Sequence, residues 1–319
     1  MVDGLNRRAW DVVEQVVQDC DSLGVTEHRL HNGARILDFG VQADGGLQAG
    51  TALAAICMSG LGRVTLDCGV LADQSWPLVQ VATDWPLEAC LLSQYAGWRV
   101  AADGYFAMGS GPMRIAAASE DLFTRLDRQE QTSTCVGVLE AAKLPAAEIL
   151  EYLAEKTGAS LEQTVVCVAP TASQAGHVQI VARSVETAMH KLSEMDFDVS
   201  RIVSGWGCAP LPPVAADDLQ GIGRTNDAIL YGSRVLLWVR GDDASLETIG
   251  PQVPACASAC YGKPFLDIFE DAGRDFYGID PHLFSPAELV MLNVDTGRTH
   301  QFGRRDDGVL QRSFGLEIR

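Results

Sequence analysis

The chain is short of cations. Lys and Arg number 24 against 42 Asp and Glu, a formal net charge of -18. A polyanion repels nucleic acid and acidic lipid, so neither is expected as a partner. No apolar run reaches the roughly 18 residues a membrane span needs. Gly-x-Gly occurs at Gly60, Gly109, Gly205 and Gly221, but none continues to the third glycine of a dinucleotide fingerprint. None leads into Lys-Ser or Lys-Thr as a triphosphate loop would. A Gly-x-Ser-x-Gly nucleophile elbow is missing too. The closest cysteines, Cys256 and Cys260, have no matching His or Cys pair, so no metal is expected. Nine cysteines is an odd count, and most stand in apolar contexts such as Val166-Cys167-Val168. They read as reduced, buried thiols, which speaks against a disulfide framework or a thiol redox sensor. The N-terminal stretch has the pattern of an amphipathic helix (Leu5, Ala9, Val13, Val16, Val17, Cys20) and not of a cleavable leader, so a cytoplasmic protein is expected.

What is present is ordinary globular composition, 47% hydrophobic and 21% charged over 319 residues, long enough for two domains. The polar segment Glu120–Thr134 suggests an approximate boundary. It separates an N-terminal α+β lobe, 1–125, from a C-terminal α+β lobe, 126–319, and leaves room for a discontinuous division. Hairpin signals recur. Asn32-Gly33 sits between two short apolar runs, Asp103-Gly104 between Trp98–Ala102 and Tyr105–Met108, and Gly232-Ser233 between Ala228–Tyr231 and Val235–Val239. Ala209-Pro210-Leu211-Pro212-Pro213 reads as a stiff loop, since proline lacks the ladder donor. Pro145–Lys156 reads as a helix ended by Gly158. Hairpins outnumber strand–helix–strand units, so the class is α+β with mixed or antiparallel sheets and packed helices.

Three places carry candidate chemistry. In Ala169–Leu192 an apolar strand runs through a small-residue loop into a helix, with Val181, Val185, Ala188, Met189 and Leu192 on one stripe. Arg183 and Glu186 fall on the opposite side as neighbours, and spacing alone favours a solvated surface pair there. Gly109-Ser110-Gly111-Pro112 is either an anion cradle or a tight turn. Arg224, Asn226 and Asp227 form either a ligand loop or a solvated turn. On these residues alone, a non-catalytic binding protein for a phosphorylated small molecule stands as one reading.

Longer blocks change the weighting. Asp44-Gly45-Gly46, Ser93-Gln94-Tyr95-Ala96-Gly97-Trp98, Tyr105–Pro112, Ala169-Pro170-Thr171-Ala172-Ser173, Arg183-Ser184-Val185-Glu186, Gly223–Asp227, Tyr261-Gly262-Lys263-Pro264-Phe265 and Ile279-Asp280-Pro281 follow one another in order. In these the chain resembles the methenyltetrahydromethanopterin cyclohydrolase family of one-carbon metabolism, found in methanogenesis and methylotrophy. The resemblance implies reversible hydrolysis of 5,10-methenyl-tetrahydromethanopterin to the 5-formyl compound, with no cofactor. It implies a two-domain α+β subunit holding the pterin substrate between its domains, and a homotrimer. It assigns Glu186 as general base and acid and Arg183 as its electrostatic partner. Substrate contacts are expected from Gln94, Gly109, Ser110, Gly111, Arg224, Asn226, Asp227 and Lys263. The chemistry suits the residues: an amidinium carbon is already electrophilic, and what it needs is a base for water.

Overall fold

The computed structural model describes residues 2, 4–102, 104–274 and 278–316; Asp103 of the expected 103–104 turn lies outside them. In chain order the first elements are α1 (Leu5–Gln18), α2 (Cys20–Leu23), β1 (Thr26–Arg29), β2 (Arg35–Asp38), α3 (Leu47–Cys57), β3 (Arg63–Leu71) and β4 (Gln74–Thr83). A π-helix, Leu87–Gln94, precedes β5 (Trp98–Ala102), β6 (Tyr105–Ser110), α4 (Met113–Ala117), α5 (Asp121–Leu126), β7 (Cys135–Glu140), α6 (Ala147–Thr157), β8 (Thr164–Ala169) and α7 (Gln174–Val181). Then come α8 (Ser184–Glu194), β9 (Ile202–Pro210), α9 (Asp218–Leu230), β10 (Arg234–Val239), α10 (Asp243–Ile249), α11 (Phe265–Asp271), β11 (Glu288–Asn293), β12 (Thr299–Gly303) and α12 (Asp307–Phe314). No helix among the described residues is long and apolar enough to cross a membrane.

Two mixed sheets with packed helices bear out the α+β class. The chain forms two compact units, one of Met1–Arg63 with Glu88–Gln179 and one of Val64–Leu87 with Ile180–Arg319. The limits therefore do not fall near residue 125, and the polar 120–134 segment lies inside the first unit. The division is discontinuous because β4 pairs with β9, far along the chain.

The first unit is built on the sheet β1-β2-β8-β7-β6-β5, whose middle strands β2, β8 and β7 are parallel. Their unbroken apolar runs follow from burial on both faces. Val165 and Cys167 of β8 pack with Val13 of α1 and Leu53 of α3. Val166 and Val168 pack on the other face with Ile149 and Leu153 of α6. The β1–β2 hairpin and the end of α6 at Gly158 in the left-handed region follow the sequence expectations.

In the second unit the sheet runs β12-β11-β10-β9-β4-β3. Two expectations fail here. Ala228–Leu230 is not a hairpin strand but the last turn of α9, and β10 pairs antiparallel with β9 and parallel with β11. Asp217 starts α9 by accepting from Gln220 N, and Gly223 lets α11 approach; a Cβ there would lie 3.1 Å from Leu266 Cβ. Tertiary packing thus overrides the poor helix propensity of Gly221-Ile222-Gly223. Ala209 and Pro210, expected in a loop, end the central strand β9. Leu211 N donates to Pro77 O, so by alternation Pro210 faces the side where β10 has already ended, Cys208 being the last residue opposite it. No ladder donor is lost there.

Arg114 is the largest charged side chain wholly shut from solvent, 0% exposed. Its Nε and Nη2 reach Glu120 Oε1 and Oε2 at 2.8 and 2.6 Å, and its Nη1 donates to Leu91 O at 3.0 Å. Its guanidinium lies 4.8 Å from the Tyr95 ring centroid. Gly97 makes room for Glu120, whose Oε2 a Cβ at 97 would strike. Arg114→Ala strands the largely covered Glu120 carboxylate and the carbonyls of Leu91 and Ser93, and should cost about 3 kcal/mol in urea unfolding. A loss below about 1 kcal/mol would contradict this pinning role.

Candidate active site

The strand β8 ends at Ala169, and Pro170 closes it off. Ser173 then starts α7: its Oγ donates to Pro170 O at 2.7 Å and accepts from Gly176 N at 2.9 Å. The helical run is not continuous through Arg183. α7 stops at Val181, Arg183 N donates to Ile180 O, and α8 begins at Ser184 with Thr187 N donating to Arg183 O. Arg183 stands just before α8, and Glu186 is the acid of its first turn.

The helix start lies on β9. A Cβ at Gly205 would come within 2.7 Å of Val185 Cγ1, and one at Gly207 would collide with Ser184 Oγ. Two glycines in β9 therefore bring the first turn of α8 down onto the sheet. Burial follows. Arg183 is 5% and Glu186 4% exposed, so the solvated pair expected from helical spacing is corrected to two buried charges. The apolar stripe placed them on the polar side of the helix, away from Val185, which meets β9, and that side is buried as well. The position of Glu186 suits a carboxylate, because the unpaired N–H groups of a first helical turn favour negative charge. Buried charges need compensation, and a carboxylate held dry at a helix start is a base that can meet a cation or a water.

The other expected site residues divide between the units. In the first, Gln94, Ser110 and Gly111 come together around Cys57 and Ser93. Cys57 Sγ lies 3.3 Å from Ser110 Oγ and 3.8 Å from Gln94 O, and Gly111 N donates to Ser93 O at 2.8 Å. Ser110 is buried within β6 beside Gly109, and its Oγ also reaches Val138 O at 3.4 Å, so Gly109-Ser110-Gly111 is a strand end and not an open anion cradle. In the second unit, Arg224, Asn226 and Asp227 lie on the helix α9 instead of a loop. Arg224 donates to Pro213 O and Val214 O, and Asn226 Nδ2 to Ile222 O. The Lys263 ammonium pairs with Asp271. Asp227 is buried and accepts from Phe265 N at 2.8 Å, which ties α11 to α9. Burial pushes its carboxyl up to about 7, against the hydrogen bonds from Ser313 and Phe265 that favour the charged form.

Three structural charges were not singled out from the sequence. Asp38, at the end of β2, accepts backbone N–H bonds from Gly40, Val41, Gln42 and Ala43 and so shapes the loop to Gly45-Gly46. An acid directly after an apolar strand and before a glycine was the available signal. Arg114 is the second. Lys191 of α8 is the third; it is buried, with Nζ 2.7 Å from His282 Nδ1 and 3.0 Å from His282 O. Burial lowers its pKa to about 8, with Asp280 acting the other way. No sequence signal set it apart from the polar side of α8.

Comparison with known proteins defines the class of enzyme. Residues 4–314 match the family model described as Cyclohydrolase (MCH), and the chain belongs to that family. Among curated relatives, proteins named methenyltetrahydromethanopterin cyclohydrolase align almost end to end. The one from Methylobacillus flagellatus is 40% identical over 98% of this chain and 95% of its own length. That from Rhodopirellula baltica is 44% identical over 89% and 87%, and that from Methanocorpusculum labreanum 40% over 98% and 99%.

Two measurements check this geometry. Gly207→Ala should push the first turn of α8 off β9, costing about 1–3 kcal/mol in chemical unfolding and lowering turnover. Wild-type stability and rate together would show that the close approach is unnecessary. The second concerns Asp227. Its folded-state pKa stands above its unfolded value, so the stability it contributes is complete below about pH 4 and is lost as pH rises through about 7. Asp227→Asn keeps an acceptor for Phe265 N–H and cannot ionise. Its Tm should rise relative to wild type between about pH 5 and about pH 8, whereas a constant difference would mean that Asp227 does not titrate there.

Proposed function

We propose that this chain reversibly hydrolyses 5,10-methenyl-tetrahydromethanopterin to 5-formyl-tetrahydromethanopterin in one-carbon metabolism. The family membership and the near full-length likeness to proteins of that name support the reaction. One structural observation carries the residue assignment: Arg183 and Glu186 are both buried at the start of α8, where a merely solvated pair would be exposed.

The substrate's reacting carbon lies between two nitrogens that share a positive charge, so it accepts a nucleophile without further activation. Glu186 takes a proton from water as the oxygen bonds to that carbon. The resulting neutral adduct collapses to the formyl group as the bond to one ring nitrogen breaks. That nitrogen takes the proton held by Glu186, and the hydroxyl proton is released, so cation and water give a neutral product and one proton. Arg183 holds the carboxylate in place and balances its charge in a dry setting. A carboxylate also attracts the cationic substrate. The reaction consumes water and needs neither metal nor organic cofactor.

The proposal extends to a homotrimer in the cytoplasm, as the sequence resemblance implies. The net charge of -18 agrees with a small-molecule substrate and with no nucleic-acid partner. Gln94 with Ser110, Gly109 and Gly111, and Arg224 with Asn226, Asp227 and Lys263, are proposed to shape the substrate site through the backbone they fix. The hydrogen bonds of Ser110 and Asn226 and the ion pair of Lys263 fit that role better than direct contact.

The near-ultraviolet absorbance of the methenyl chromophore follows the reaction. Catalytic amounts of protein should consume it, whereas a non-catalytic binder changes it only in proportion to protein added. Glu186→Gln should lower kcat by about a hundred- to ten-thousand-fold while substrate still binds. Turnover by Glu186→Gln at the wild-type rate would falsify the assignment.

A further inference from the structure

The π-helix Leu87–Gln94 carries a charge that the proposed reaction does not use. Such a wide turn is rare and frequently marks a functional site; here Tyr95 N closes it by donating to Cys90 O, five residues back, at 2.8 Å. Glu88, in its first turn, is 7% exposed. Its carboxylate has neither a hydrogen-bond nor an ion-pair partner among the described residues. A carboxylate so placed is a position that a cation, or donors from outside the fold, can complete.

Glu88 faces a cavity. About 370 Å³ is bounded within the first unit by Glu88 and Leu92, one turn apart on the π-helix, with Ile115, Arg7, Arg128 and Glu130. That volume lies within the range of small-molecule pockets, and the lining combines apolar side chains with polar and charged ones. The polar groups are not equivalent. Glu130 is occupied at the start of α1, where its Oε2 accepts from Asn6 N at 3.2 Å and from Asn6 Nδ2 at 3.0 Å. Arg7 pairs with Asp11 at the surface. Arg128 is half-buried, and the one hydrogen bond of its side chain among the described residues runs from Nη1 to Asp127 O. The remaining donors of its guanidinium fork are open. The cavity therefore offers an uncompensated carboxylate and an under-used guanidinium, with the apolar side chains of Leu92 and Ile115 in the same lining.

We propose that this cavity is a second ligand site that takes a small zwitterion, with a primary ammonium against Glu88, a short aliphatic body along Leu92 and Ile115, and a carboxylate against Arg128. A cation alone would satisfy Glu88 but leave Arg128 as it is. An anion alone would meet Arg128 but bring like charge toward Glu88. Only the zwitterion answers both. The buried, unpartnered carboxylate is then a stability sacrifice of the kind that binding sites retain.

The test uses the full chain and three probes of one size: γ-aminobutyrate, n-butylamine and butyrate. Isothermal titration and thermal unfolding are read for each. γ-Aminobutyrate should bind saturably and raise Tm, n-butylamine should bind more weakly, and butyrate should do neither. Glu88→Gln should weaken γ-aminobutyrate about tenfold or more, and Arg128→Ala by a smaller factor. The free Glu88→Gln protein should melt no lower than wild type, since no partner of Glu88 is lost. The comparison of the three probes on the wild-type chain stands even if a variant folds poorly. No saturable binding by any probe would overturn the proposal, as would butyrate binding as well as γ-aminobutyrate. Unchanged affinity in Glu88→Gln would overturn the role of Glu88, and n-butylamine binding as tightly as the zwitterion would overturn that of Arg128.

Discussion

The close seating of one helical turn on one strand governs the candidate active site. Gly205 and Gly207 remove two side chains from β9 where Val185 and Ser184 come down on it. Without that approach the first turn of α8 would stand away from the sheet and carry Arg183 and Glu186 with it. In the seated turn both are buried. Two buried opposite charges are a poor source of stability, since desolvation takes back most of any Coulomb attraction. Their burial at this position agrees with the proposed reactivity: a desolvated carboxylate would have no competing shell of water to shed before accepting a proton.

The same logic runs through the first unit, where buried charges position backbone. Arg114 binds Glu120 through two of its nitrogens and the Leu91 carbonyl through a third, so it holds the end of the π-helix where Ser93 and Gln94 sit. Asp38 gathers four successive N–H groups and gives the glycine-rich loop a single shape. Each charge has its partners within the fold. Glu88 has none among the described residues, and that contrast gives its cavity a different standing from the structural ion pairs around it.

Much of the scaffold was legible from residue patterns. The unbroken apolar run Val165–Ala169 reads as a strand buried on both faces, Gly158 marks the end of α6, and Asn32-Gly33 turns β1 into β2. The failures share one cause, which is that local signals were outvoted by packing. Gly221 and Gly223 look like loop residues, yet they let α9 lie against α11. Pro210 looks like a strand breaker, yet it stands where the neighbouring strand has ended. The burial of Arg183 and Glu186 had no local signal at all, because helical periodicity counts polarity around one helix and cannot see what packs on its polar side. The residues marked that pair as candidate chemistry, the resemblance to the cyclohydrolase family raised it above the surface reading, and the glycines of β9 seat the turn that carries it.

The most direct test of the central claim is a double-mutant cycle on turnover. The rates of wild type, Arg183→Ala, Glu186→Gln and the double variant are measured under saturating substrate. If the two side chains act as one device, the double variant loses about as much as the worse single variant, because the second change removes a partner that no longer has work to do. Losses that simply multiply would mean that Arg183 and Glu186 act independently, and the joint role assigned to them at the start of α8 would be wrong.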